Sequence, residues 1–363
     1  MTDRPTPLPQ LARVQPYVPG EAPKPGKGPS YKMASNENPL GASPQALAVY
    51  RDLAGRVEIY PDGGAHALKA ALAKRYGLDA KRIITGAGSD EIFLMLARAY
   101  LGPGDESINT AHAFAIFSMV AEQQCATPVI IPEKRFTADV DAILKAVTPK
   151  TKFVWLANPN NPTGTYLPYD EVKRLHAGLP KSVMLVLDGA YAEFVAKNDY
   201  AAGIELVSQN ENVVMTRTFS KLHGLAGLRV GWGYAPAHVI DAVERVRMPF
   251  NVNLVAQAVA IAALEDEEFI QKSLEHNARE LPRLIAGLRA LGLEVADSVG
   301  NFCVATFKDP PTAAAALEFL KARGVTVRAL VGYGMPDRLR ISVGAVAGND
   351  AVLAGLKAFL AGK

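Results

Sequence analysis

From about residue 40 to residue 248 the chain alternates two kinds of apolar pattern. Asp90 to Leu101 is apolar on nearly every side, which predicts a buried helix. Lys152–Ala157, Val183–Leu187, Val213–Thr218 and Val230–Tyr234 are short β-favouring runs, with helical pieces such as Tyr169–Gly178 between them. Strands apolar on both faces and separated by helices predict a mainly parallel sheet covered on both sides. Farther on, Ile270, Leu274, Leu281, Leu284, Leu288 and Leu291 recur at helical spacing, so 270–291 is expected as one long amphipathic helix. A strand over Asn301–Phe307, a helix over Thr312–Arg323, strands over Val325–Leu330 and Leu339–Val343, and a last helix complete the pattern. The expected fold class is α/β. A large domain over 31–248 carries a mainly parallel central sheet flanked by helices, and a smaller α+β domain covers 249–363. Residues 1–30 hold eight of the 25 prolines and read as an extended N-terminal arm. Within it Tyr17 is an aromatic in a stiff segment, suited to docking on a partner surface.

Composition narrows this picture without redirecting it. The 363 residues are 49% hydrophobic and 21% charged, a balance that buries a sizeable core. A net charge of +3 gives no reason to expect nucleic acid or a membrane surface as partner. Cys125 and Cys303 are far apart and sit among apolar neighbours, so two inert buried thiols in a reducing cytoplasm are expected. The proline-rich start has no apolar stretch of the kind a signal peptide needs. The longest apolar run, Leu254 to Leu264, is broken by Gln257 and falls short of the ~20 residues that span a bilayer.

Chemistry concentrates at strand ends. Asn158-Pro159-Asn160-Asn161-Pro162-Thr163-Gly164, Asp188-Gly189-Ala190-Tyr191 and Thr218-Phe219-Ser220-Lys221 each follow one of three successive strands. Ligands of open α/β sheets bind beyond the carboxyl ends of strands, so one rim should gather all three. Gly86-Ala87-Gly88-Ser89-Asp90 leads directly into the buried helix. Small residues before a helix N-terminus offer free N–H groups and a positive dipole end, which suits a phosphate. It is not a P-loop, because no G-K-[ST] follows; taken alone it reads equally as a plain turn capped by Ser89 or Asp90. None of the six histidines has a metal-ligand spacing such as H-E-x-x-H.

These four pieces, in this order, resemble the fold-type-I pyridoxal-phosphate (PLP) aminotransferases. Within that family the chain is most similar to the histidinol-phosphate aminotransferase branch, through Pro16-Tyr17-Val18-Pro19-Gly20, Asn36-Glu37-Asn38-Pro39, Tyr60-Pro61-Asp62, Asn160-Asn161-Pro162-Thr163-Gly164, Thr218-Phe219-Ser220-Lys221, Gly227-Leu228-Arg229-Val230-Gly231 and Leu339-Arg340-Ile341-Ser342-Val343-Gly344. The resemblance runs from about residue 16 to the end. It implies that Lys221 carries the cofactor covalently and then moves the substrate proton as base and acid. By the same resemblance Asp188 holds the ring nitrogen protonated, Tyr191 and Asn161 reach the ring oxygen, and Phe114 stacks on the ring. Arg229, Thr218, Ser220 and the turn Gly88, Ser89 and Asp90 hold the phosphate, and Tyr60 crosses to that phosphate from the second subunit of a homodimer with shared sites. Tyr17, Asn36, Asn161 and Tyr60 fall on the substrate side.

Substrate choice is expected to rest on two arginines. Arg340 matches the family arginine for an acidic substrate group, and Arg328 stands where the histidinol-phosphate branch has a second one. Paired guanidinium groups suit a phosphate monoester, and one alone suits a carboxylate. The favoured pair of small-molecule substrates is histidinol phosphate with 2-oxoglutarate. An aromatic amino-acid aminotransferase on the same scaffold is the nearest rival. A PLP lyase or decarboxylase and a non-catalytic PLP-fold binding protein are rivals of other classes. Two departures from the family pattern stand out. Gly189 replaces an acid frequent in D-E-A-Y, and Phe117 lacks a hydroxyl expected near the substrate. His112 and His223 are expected in structural or supporting roles.

Overall fold

The computed structural model describes residues 5–12, 14–17 and 29–362. The chain opens with β1 (Tyr31–Lys32), α1 (Pro44–Asp52) and α2 (His66–Tyr76). It continues through β2 (Ile83–Gly86), α3 (Ser89–Tyr100), β3 (Glu106–Thr110), α4 (Ile116–Gln123), β4 (Thr127–Ile131) and α5 (Val140–Ala146). Then come β5 (Thr151–Ala157), α6 (Tyr169–Gly178), β6 (Met184–Asp188), α7 (Ile204–Gln209), β7 (Val213–Thr218), β8 (Gly231–Tyr234), α8 (Ala237–Val246) and α9 (Leu254–Glu265). The last stretch is α10 (Glu267–Ala290), β9 (Glu294–Val295), β10 (Phe302–Thr306), α11 (Pro310–Lys321), β11 (Val325–Thr326), β12 (Arg328–Leu330), β13 (Met335–Ser342) and α12 (Val346–Leu360).

The large sheet has the order β2-β8-β7-β6-β5-β3-β4. β8 runs antiparallel to both its neighbours, so β2, β7, β6, β5, β3 and β4 all point the same way. Alternation within the central strands builds two cores. Val154 and Leu156 of β5 pack with Leu68, Leu72, Val172, Leu175 and Val259 on one face. Phe153 and Trp155 pack with Ile92, Phe93, Phe117 and Val239 on the other. Burying each such side chain stabilises the fold by about 1.5–3 kcal/mol, which is why β5 to β7 hold so few polar residues before their last positions.

The smaller body is a four-stranded antiparallel sheet, β12-β13-β10-β9, packed against α10, α11 and α12 around Leu284, Leu288, Ala316, Leu339, Ile341 and Leu356. Local signals set its helices. Asp309 accepts from Thr312 N and Pro310 follows it, fixing the start of α11. Two expectations change. The single strand expected over Val325–Leu330 is two, because Val325 and Thr326 pair in parallel with Tyr31 and Lys32 while Arg328 onward pairs with β13. The seam between the bodies also falls nearer Asp266 than residue 248, because Ala256, Val259, Ala260, Ala263 and Leu264 of α9 lie in the large body's core.

Of the N-terminal arm, Pro9–Ala12 forms one turn of 3-10 helix and Tyr17 is half-exposed. Val18, Pro19 and Gly20 of the arm motif lie outside the described residues. Among the described residues no helix is long and apolar enough to cross a membrane.

Candidate active site

The shared direction of β2, β5, β6 and β7 brings their carboxyl ends to one rim, and a cavity of about 230 Å³ opens there toward β12 and β13. Its lining includes Tyr17, Asn36, Ser89, Asp90, Phe114, Asn161, Asp188, Tyr191, Thr218, Ser220, Lys221, Arg229, Arg328 and Arg340. Residues from nearly the whole length of the chain thus face one space.

Lys221 follows β7 and donates from Nζ to the Ser35 carbonyl at 3.0 Å. Holding the ammonium away from water, and to a lesser degree the nearby Arg340 cation, lowers its pKa to about 8, while Asp90 and Glu37 oppose. No carboxylate pairs with the Nζ directly among the described residues. The result is a lysine that is neutral often enough near physiological pH to act as a nucleophile.

Asp188 ends β6 and is buried at the floor of the cavity. Its Oδ1 accepts from Ala190 N at 3.1 Å and from Thr216 Oγ1 at 3.4 Å. Desolvation pushes the carboxyl up to about 7. A carboxylate in that setting gains greatly from a cation placed beside it. Tyr191 stands across the lysine, with Nζ 5.7 Å from its ring centroid. Its hydroxyl accepts from Asn36 Nδ2 at 2.9 Å, and burial pushes the phenol up to about 12.

The other end of the cavity is built for an anion. Thr218 Oγ1 and Ser220 Oγ stand 3.0 Å apart, and Arg229 Nη1 donates to Ser220 Oγ at 3.3 Å. Arg229 Nη2 also meets Asp90 Oδ2 at 3.2 Å. Gly88 precedes α3 with φ +87°, and no side chain caps the helix start. A Cβ on Gly88 would run into the Arg229 guanidinium, so glycine there lets the arginine close over the helix N-terminus. Gly88 is therefore a wall of the anion end rather than part of the cavity lining.

On the opposite wall, Arg328 and Arg340 are register partners on adjacent antiparallel strands. Arg340 is 5% exposed. It donates from Nη2 to the Ala34 carbonyl at 2.7 Å and from Nη1 to Asn161 Oδ1, and its Nε has no partner among the described residues. Burial lowers its pKa, Tyr191 and Tyr333 oppose, and among the described residues no carboxylate pairs with it. Like charges placed directly opposite on a sheet destabilise it, and a buried cation without an anion costs several kcal/mol. An anion entering the cavity would offset that cost at Arg340.

Several residues singled out from the sequence fall elsewhere. Tyr60 is 78% exposed and stacks on Phe250 at 4.7 Å, away from its own chain's cavity. Phe117 is fully buried, stacked on Trp155 at 5.4 Å and edge-on to Phe93 at 5.2 Å. It is a core residue that Phe114 leans on at 6.0 Å, so its missing hydroxyl is no loss to the cavity. Gly189 sits with its Cβ position 3.1 Å from the Thr216 carbonyl, in close packing beneath the site. His112 pairs through Nδ1 with Glu133 at 2.9 Å and accepts from Asn160 on its carbonyl, holding the Asn160–Asn161 turn. His223 is buried beside Phe219, and desolvation lowers its pKa.

Sequence reasoning missed Ser35, Glu37 and Tyr333, all of which line the cavity. Ser35 acts through its carbonyl, which no side-chain motif reveals. Tyr333 sits in Val331-Gly332-Tyr333-Gly334, a turn between two strands that each carry a site arginine. An aromatic between glycines at that place was the available signal.

A mainly parallel α/β sheet, a half-buried lysine at its rim, a buried carboxylate on the adjacent strand and an anion end at a helix N-terminus define the class of PLP-type transferases. A model of the aminotransferase class I and II family matches residues 30–356, and the chain belongs to that family. Histidinol-phosphate aminotransferases from Rhodopseudomonas palustris (strain HaA2) and Nitrobacter winogradskyi are each 50% identical to it over 361 residues, covering 99% of both chains in each comparison. A crystal structure of histidinol-phosphate aminotransferase from Sinorhizobium meliloti in complex with pyridoxal-5'-phosphate superposes with a TM-score of 0.89 at 27% identity, covering 99% of each chain.

Proposed function

We propose that this enzyme is a PLP-dependent aminotransferase that moves an amino group between histidinol phosphate and 2-oxoglutarate, yielding imidazole acetol phosphate and L-glutamate in histidine biosynthesis. The observation that carries the substrate is the pair of guanidinium groups on the cavity wall, Arg328 facing a buried Arg340 that pairs with no carboxylate among the described residues. The 50% identity to named histidinol-phosphate aminotransferases over nearly the whole chain supports the same choice.

The cavity suits the cofactor at both ends. When bound, pyridoxal phosphate supplies an electron sink for charge left on the substrate carbon. Lys221 holds it through Nζ, and burial keeps that amine neutral enough to attach. With the amine of the substrate in its place, the Lys221 Nζ would serve as the base and acid that moves the substrate proton. Asp188, at the buried floor, keeps its charge beside the ring nitrogen. Tyr191 and Asn161 would hydrogen-bond the ring oxygen, and Phe114 would cover the ring. Thr218, Ser220, Arg229 and the α3 start at Gly88, Ser89 and Asp90 hold the phosphate. Arg340 takes the carboxylate of the 2-oxo acid, and Arg340 with Arg328 takes the phosphate of histidinol phosphate. Tyr17 and Asn36 stand on the substrate side.

The working form is a homodimer. Tyr60 and Phe250 stack on each other in the open, with Val57 and Met248 also exposed. Tyr60 completes the phosphate site of the second copy. A cytoplasmic setting goes with two unpaired cysteines.

The deciding experiment is Arg328→Ala, assayed with histidinol phosphate and with phenylalanine as amino donors. The expected result is a fall in kcat/KM on the order of a hundredfold for histidinol phosphate alone, the value of a charged hydrogen-bonded contact. An equal fall with phenylalanine would instead make the chain an aromatic amino-acid aminotransferase.

A further inference from the structure

Between Arg328 and Arg340 the chain turns back through Val331–Tyr333, and Tyr333 lines the same cavity as both arginines. Its ring is fixed. It packs with Val304, Leu330 and Met335, and with Ala115 and Phe136 at the edge of that cluster. Its left-handed neighbour Gly334 ends the turn and sends β13 back beside β12. The residue is 9% exposed and lines the cavity, and among the described residues its hydroxyl makes no hydrogen bond, so that oxygen opens on the cavity rather than into the packed core. The charged and polar groups whose fields it feels are Arg340, Arg328, Tyr17 and Tyr191. A phenol with a packed ring and a hydroxyl open to a polar cavity can bond what enters it. Here a rigid donor stands unused on the wall that carries two guanidinium groups.

We infer that Tyr333 is a specificity-determining residue that donates its hydroxyl to the phosphate group of the substrate, alongside Arg328 and Arg340. Two guanidinium groups supply charge, and a phosphate monoester has three acceptor oxygens to satisfy. Arginine Nη atoms approach from the strand pair, and the phenol closes the remaining side. Burial holds the phenol up to about 12, so it is a donor throughout the working pH range. A carboxylate has one oxygen fewer and gains less from this third donor. The turn thus favours a phosphorylated amine over its unphosphorylated counterpart.

This inference rests on the phosphate-recognising reading of the site, and its test separates the two. Tyr333→Phe keeps the ring that packs on Val304, Leu330 and Met335, so the fold is expected to stand. The holoenzyme variant is assayed with histidinol phosphate and with histidinol, and inorganic phosphate is used as a competitor. The expected result is a rise in KM for histidinol phosphate of about tenfold with kcat little changed, histidinol kinetics unaltered, and weaker inhibition by phosphate. Equal changes for both amines, or unchanged phosphate inhibition, overturn the role of Tyr333. Arg328→Ala run in parallel tells which reading fails. If it discriminates the two amines while Tyr333→Phe does not, only the tyrosine assignment falls. If neither discriminates, the phosphate reading of the wall falls with it.

Discussion

Asp188 illustrates how a single residue can be costly in one state and necessary in another. Its carboxyl is buried and pushed up to about 7, so between the ordinary carboxylate range and that value the folded protein holds a proton the unfolded chain has lost. Stability of the cofactor-free protein therefore falls as pH rises through that window, and the cost is fully present at pH 8. A shift of this size corresponds to on the order of 4 kcal/mol. Asp188→Asn should raise the melting temperature of the cofactor-free protein at pH 8, with the gain vanishing near pH 4, while transaminase activity drops by orders of magnitude. A variant no more stable at pH 8 than at pH 4, relative to the parent, would show that the buried carboxyl carries no such cost. Lys221 has the opposite slope. It is depressed to about 8, so cofactor attachment should speed up as pH rises from 7 to 9, followed by the growth of visible absorbance. Most of the polar side chains that line the cavity were legible in the sequence, because strand ends and small-residue turns mark where they stand. Ser35 was not, because its contribution is a carbonyl oriented by β1, and Tyr333 was not, because its position depends on how two strands pair.

At the scale of elements, the anion end depends on close backbone approach between β8 and the start of α3. A Cβ at Gly231 would lie 2.5 Å from Ser89 N and 2.6 Å from Gly88 C, both backbone atoms that cannot swing aside. Gly231→Ala should therefore push the helix start away from Thr218 and Ser220. We expect cofactor affinity to fall at least tenfold in a fluorescence titration, with the far-UV circular dichroism unchanged. The Gly227–Gly231 motif was visible in the sequence, but the reason for its last glycine was not. It lies in a contact between elements far apart along the chain. The antiparallel placement of β8 was equally hidden, since periodicity gives a strand's faces and not its direction. The hydrophobic pattern did locate β5, β6, β7 and α6 within a residue or two, because buried strands and amphipathic helices write their environment into every position. Phe117 shows the limit of motif reasoning: its place in the motif suggested the substrate, whereas its burial against Trp155 makes it core.

For the whole molecule, the exposed Tyr60 and Phe250 pair predicts shared sites. Lys221→Ala and Tyr60→Ala variants should each be nearly inactive. Mixed under conditions that let subunits exchange, they should recover about a quarter of the parent activity, since random pairing makes half the dimers mixed and each of those has one intact site. No recovery on mixing, with exchange verified by mass, would place Tyr60 outside the partner's site.

The parallel pairing of Tyr31 and Lys32 with Val325 and Thr326 has a consequence for how the protein comes into being. The segment that follows this pairing supplies the Ser35 carbonyl to Lys221, the Ala34 carbonyl to Arg340 and the Asn36 amide to Tyr191. Asn36 itself is tied to Ser342, 306 positions away. A ribosome delivers the large sheet well before it delivers the strands that anchor this segment. The emerging chain can thus form its main core early, yet its lysine stands without its proper surroundings until the strands around Val325 and Ser342 have been made. The pocket is in this way born only when the smaller body's sheet closes on the segment after β1.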